Sequence, residues 1–119
     1  VIQTSFFGSK APKERKVCIA KWHRNWTGPR APKLAPSDPK AADWAAAYRR
    51  DLDQRFPTES SLRLYLQEVE RATPDPILCC FELNPTECHR RVLAAYIKEK
   101  LNWDVPEWAA KGPEQASLL

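Results

Sequence analysis

Ile77-Leu78-Cys79-Cys80-Phe81 is an unbroken apolar run of strand length, bounded by Pro76 on one side and by a polar turn near Leu83 on the other. A strand without polar alternation has to be covered on both faces, so the run predicts a central strand of a sheet. Directly after it, Asn84 with Pro85 next and Glu87 three residues on forms a capping-box pattern. A helix is therefore predicted from there, or from Thr86, to about Leu101, with Val92, Leu93, Tyr96 and Ile97 as its core stripe.

The rest of the chain follows the same grammar. Val1 to Phe6 and Val17 to Ala20 are short β-branched or apolar runs suited to buried strands. Lys21 to Pro39 carries four prolines, so neither a helix nor a central strand can run through it, and a long loop or flap is expected. Ser37 or Asp38 is placed to cap a helix with Pro39 in its first turn. Trp44, Ala47, Tyr48, Leu52 and Phe56 then recur at helical spacing toward Pro57. Thr58 is a second cap, before Leu62, Leu64, Tyr65, Leu66 and Val69. Trp103 to Trp108 suits a short edge strand. The order of elements predicts a small α/β, Rossmann-like three-layer domain with a mainly parallel sheet over residues 1–108, and a weakly ordered tail over 109–119.

Composition narrows the setting. The chain has 119 residues, enough for one core, and no apolar run approaches the length that spans a bilayer. Val1 to Phe7 lacks the basic start and cleavage site of a secretory signal. Of the four cysteines, adjacent Cys79 and Cys80 point to opposite faces of a strand, so reduced thiols in a cytoplasmic protein are the expectation. Charge is uneven. Lys10 to Lys33 holds eight Lys/Arg against Glu14 alone, a net +7, while the remainder sums to −3. A polyanion would meet that segment first.

Candidate chemistry gathers at the end of the apolar run. In open α/β sheets ligands bind at the C-terminal edge of the strands, which places Glu82 there and Cys88-His89-Arg90 in the first turns of the next helix. A helix start favours anions and lowers the pKa of a nearby thiol, which makes Cys88 a candidate thiolate. Arg90 suits a phosphate or carboxylate, His89 a proton relay, and Glu82 a base or a ribose contact. The plainer readings are that Cys88 packs as a small apolar residue and that Glu82 pairs with Arg90 or Arg91. Cys80, Cys79 and Cys18 read as packing, and Arg91 as solvent-facing.

The stretch Ile77 to Arg91, with its Cys80-Phe81-Glu82 and Cys88-His89-Arg90 motifs, resembles the family catalogued as domain of unknown function 488. Ile2 to Phe7, Leu34-Ala35-Pro36 and Tyr48 add to that likeness. The resemblance implies a compact α/β fold with these residues clustered, in a mostly bacterial or phage-borne family without an agreed activity. Members often carry Ala-Arg-Gly where this chain has Ala20-Lys21-Trp22, so the implied anion contact is either absent here or falls to Lys21 or Arg24.

Two functional readings result. The first is a small enzyme acting on a nucleotide or other phosphate-bearing, nucleic-acid-related ligand. Glu82, Cys88 and His89 are its catalytic candidates, and Arg90, Lys21, Arg24, Arg30, Trp22, Trp26 and Ser5 its ligand contacts. The alternative is a non-catalytic module that holds nucleic acid or a nucleotide on Trp22 to Arg30, where aromatic and basic residues interleave. No cofactor is expected. Zinc on Cys80, Glu82, Cys88 and His89 is the weaker alternative, since no Cys-x2-Cys pair is present.

Overall fold

The computed structural model describes residues 1–81 and 88–110. Three strands, β1 (Gln3–Phe6), β2 (Lys16–Cys18) and β3 (Ile77–Cys80), form one sheet in the order β1-β3-β2. Both pairings are parallel, with Thr4 opposite Leu78 and Val17 opposite the same residue on the other side. The apolar run is thus the central strand, and the protein is the small α/β domain with a parallel sheet that its sequence predicts. Phe81 lies just beyond the strand and is half exposed.

Three helices follow in chain order: α1 (Trp44–Arg55), α2 (Glu59–Ala72) and α3 (His89–Leu101). Val17 and Leu78 join Tyr48, Leu52, Leu62, Leu66, Leu93 and Ile97 in one core, so the helices cover that face of the sheet. Ile77 and Cys79 point the other way, into a smaller cluster with Ala11, against which Phe7 and Trp108 pack. The two sets alternate along β3, as the two-residue period of a strand requires.

Helix boundaries differ from the sequence reading where side chains find other partners. α1 begins at Trp44 with Asp43 as N-cap, because residues 38–44 turn twice through the bonds Ala41 N to Asp38 O and Trp44 N to Ala41 O. Ser37 is not a cap. Its hydroxyl and amide both donate to the Asp51 carboxylate at 2.8 and 2.9 Å, which fastens the proline-rich loop to α1. Thr58 caps α2 as expected, in a capping box completed by Ser61. Leu64 falls off the apolar stripe and is exposed. α3 starts at His89, with Cys88 as an extended N-cap, so the Cys-His-Arg motif forms the entry to the helix. The predicted cap at Asn84 to Glu87 lies outside the described residues, as does the tail from 111 onward.

The loop from Lys21 to Pro39 is tied down at both ends. Cys18 bridges Arg30 through Cys18 N to Pro29 O at 2.9 Å and Ala31 N to Cys18 O at 3.0 Å. Buried Tyr48 donates its hydroxyl to Leu34 O. On the opposite edge, Trp103 to Trp108 adds the expected strand-like contact: Thr4 N donates to Pro106 O at 3.0 Å and Trp108 N to Thr4 O at 2.7 Å. No helix among the described residues is long and apolar enough to cross a membrane.

Candidate functional site

β3 delivers Cys80 to the C-terminal edge of the sheet, and the N-cap of α3 returns Cys88 to the same place eight residues later. The two sulfurs are brought together as a pair placed to form a disulfide, with Cα atoms 7.0 Å apart. The sequence reading left the four cysteines as separate thiols; the structure brings two of them together. Adjacent cysteines cannot share a partner, but Cys80 needs only Cys88, because strand end and helix start flank a single connection. Cys18 and Cys79 are free and buried, as the packing reading has them.

Burial pushes the Cys79 thiol up to about 12, against the opposing positive charges of Lys16 and Arg90. Only thiolate reacts, so Cys79 is expected to stay unlabelled by iodoacetamide at pH 8 in the native protein while the denatured chain labels fully. Rapid labelling of Cys79 before unfolding would show that the second face of the sheet opens.

His89 and Arg90 are buried at the helix entry. A ring nitrogen of His89, Nε2, lies 2.6 Å from the carbonyl oxygen of Ile19, and the edge of Tyr48 packs 5.3 Å away, centroid to centroid. A carbonyl only accepts, so Nε2 carries the proton, and in the neutral ring the lone pair sits on Nδ1. Arg90 turns its fork inward. Nε reaches both Glu107 carboxylate oxygens at 3.1 and 3.0 Å, a terminal nitrogen reaches Oε2 at 2.8 Å, and the other donates to Cys80 Sγ at 3.2 Å. Arg91 is not solvent-facing: it donates to Thr4 Oγ1 at 2.9 Å and to Val105 O at 2.8 Å.

Beside these groups lies a small cavity of about 160 Å³, lined among others by Trp22, Phe81, Pro39, Lys21, Lys40 and the buried His89. Trp22 and Phe81 are each about half exposed, at 54% and 52%. Lys21 and Lys40 hold their ammonium groups 5.0 and 5.5 Å from the Trp22 ring centre, in cation–π range. An adjoining cavity of about 320 Å³ shares Lys21 and Pro36 with the first and adds Arg30 and Arg55, with no carboxylate in its described lining.

The ligand candidates divide accordingly. Lys21 and Trp22 join His89 at the cavity. Arg24 is exposed on the loop. Arg30 and Trp26 spend hydrogen bonds on the loop itself, Arg30 to the carbonyls of His23 and Trp26 at 2.6 and 2.7 Å, and Trp26 Nε1 to Pro29 O at 2.8 Å. Trp26 also joins Phe7, His23 and Phe81 in an aromatic cluster. Ser5 is buried in β1 opposite Cys79, away from the cavity lining. Glu82 lies outside the described residues.

Sequence reasoning missed Glu107, Lys40 and the wall role of Phe81. Two acids, Asp104 and Glu107, among the tryptophans, proline and valine of the expected edge strand were a visible signal, but did not tell Glu107 from its neighbour. Nothing local marked Lys40.

Neither the curated proteins nor the solved structures contain a match to this chain. Residues 10–97, reaching from the Lys-rich connection through Ile97 of α3 and so including the whole Cys-His-Arg entry, match the family described as "Domain of unknown function DUF488", and the chain belongs to that family.

Proposed function

We propose that this protein is a small enzyme that binds a nucleotide, or one nucleotide unit of a nucleic acid, and transforms it beside His89 and Cys88. The observation that carries this reading is the cavity between Trp22 and Phe81, in which two half-exposed aromatic faces and two lysines surround one buried histidine. A planar base gains about 1–3 kcal/mol from stacking on such a face. The adjoining cavity, with Lys21, Arg30 and Arg55 and no described carboxylate, suits the phosphate. Its cations take over the anion role read from the sequence for Arg90, whose fork holds Glu107.

His89 is the polar group that a bound ligand would meet. With its Nε2 proton on the Ile19 carbonyl, its chemistry passes through Nδ1. Glu82, two residues past Cys80 in sequence, is the proposed base or stabiliser of charge on the sugar. The rival binding module would use the outer loop, where Trp26 donates to the Pro29 carbonyl and packs against Phe7, whereas the inner cavity has Trp22 and Phe81 half exposed.

Calorimetric titration with the nucleoside monophosphates tests the proposal. Saturable binding of at least one is expected. Trp22→Ala and Lys21→Ala should each weaken it by roughly tenfold or more, the scale of one stacked base or one charge-assisted hydrogen bond. His89→Gln should keep the affinity and lose turnover. Absence of binding at millimolar nucleotide, or affinity indifferent to Trp22 and Lys21, would end this reading.

A further inference from the structure

We propose that Cys80, Cys88 and His89 form a zinc site when the two thiols are reduced. One sulfur from each cysteine and one ring nitrogen of the histidine lie within 4.8 Å of one another, and all three residues are buried. Three converging soft or borderline donors with little access to water are the donor set zinc prefers. The proposal goes beyond the nucleotide reading and does not depend on it.

The backbone supports an ion between the sulfurs. Cα atoms 7.0 Å apart are at the wide limit for a direct bond between two cysteines. Two thiolates at about 2.3 Å from a tetrahedral ion stand about 3.8 Å apart, which the same backbone separation accommodates with room to spare. An external dithiol, itself oxidised to a disulfide as it gives up two electrons and two protons, returns a bonded Cys80–Cys88 pair to two thiols; only these take the ion, releasing their protons to water.

The surrounding groups fit as well. A metal-bound histidine usually donates its other ring N–H to a carbonyl or carboxylate, which fixes its tautomer. His89 Nε2 does this toward Ile19 O, while the ring also brings a nitrogen within 4.8 Å of the two sulfurs. Arg90 donates to Cys80 Sγ, and Glu107 balances its charge. Two thiolates and one Zn²⁺ then sum to zero, which a buried site requires. Among the described residues three ligands are at hand, and the fourth position of a tetrahedral ion falls to water, to a bound ligand or to a group outside them. Because His89 also lines the Trp22 cavity, the ion would stand next to whatever that cavity holds.

The test uses the full chain, reduced, stripped with a chelator and titrated with Zn²⁺ and then Co²⁺ in the absence of nucleotide. One metal per chain is expected by elemental analysis. The cobalt form should show a thiolate charge-transfer band with the intensity of two thiolates and the visible bands of a tetrahedral centre. Zinc should also slow alkylation of Cys80 and Cys88. Cys80→Ser, Cys88→Ser and His89→Gln should each weaken binding by a hundredfold or more, while Cys18→Ala and Cys79→Ala leave it unchanged. If a serine variant fails to fold, the cobalt spectrum of the unaltered chain still counts the thiolates. A reduced chain that binds no metal at micromolar zinc, a cobalt form without thiolate charge transfer, or one-to-one binding that survives in Cys88→Ser would overturn the proposal.

Discussion

Glu107→Ala is expected to destabilise the protein by about 3 kcal/mol, the scale of breaking a buried ion pair, and to lower its melting temperature by on the order of 15 °C. Arg90 is completely buried, and Glu107 meets it through three nitrogen–oxygen contacts of 3.1 Å or less. Removing the carboxylate takes that counter-charge from a guanidinium held in the interior, where charge is costly to keep. The same change frees Thr4 Oγ1, which donates to Glu107 Oε1 at 2.6 Å. Chemical denaturation of the single variant beside the double variant Arg90→Met, Glu107→Leu separates charge from packing. The double variant should recover most of the loss, because an apolar pair of similar volume often matches a buried ion pair. A single variant within about 0.5 kcal/mol of the unaltered chain would put this pair with ordinary surface bridges. Zinc affinity should also fall in Glu107→Ala if Arg90 then shifts off Cys80.

What the sequence made legible is what depends on neighbours in sequence. The unbroken run Ile77 to Cys80 had to be the central strand, and it is. The spacing of Tyr48, Leu52 and Phe56, and of Leu62 and Leu66, marks helix faces that the core buries. Thr58 and Ser61 close a capping box within four residues. The Cys-His-Arg motif was correctly put at a helix start beside the end of a strand, which is enough to find the site's position. What stayed hidden depends on side chains that meet across the fold. Arg90 looked available for a phosphate because the only acids near it in sequence are Glu82 and Glu87, yet a carboxylate that holds its fork comes from 17 residues away on another edge. Lys40 reaches Trp22 only because residues 38–44 turn instead of beginning a helix. Whether Cys80 packs or reacts turned on where Cys88 returns, and no spacing rule for close metal pairs covers ligands split between a strand and a helix.

Stopping the chain after Asn102 is expected to abolish cooperative folding, although the family match itself already ends at residue 97. The lost segment supplies an edge to β1 through two backbone hydrogen bonds, at 3.0 and 2.7 Å. It buries Val105 in the main core with Trp103 packed against it. It accepts a hydrogen bond from Arg91 at Val105 O and holds Arg90 through Glu107. About 3 kcal/mol for the ion pair, about 2 for Val105 and about 1 for each of three hydrogen bonds come to roughly 8 kcal/mol. A domain of this size has a total stability of about 5–15 kcal/mol, so the shortened chain falls to the edge of unfolding or past it. Circular dichroism and amide NMR dispersion read the outcome against a chain stopped after Ala110, which keeps every one of these contacts. Collapsed dispersion and a featureless thermal scan are expected after Asn102. A cooperative transition within a few degrees of the longer chain would mean that the 103–108 segment only covers a domain complete without it. Arg90 would then have to be held by groups other than Glu107.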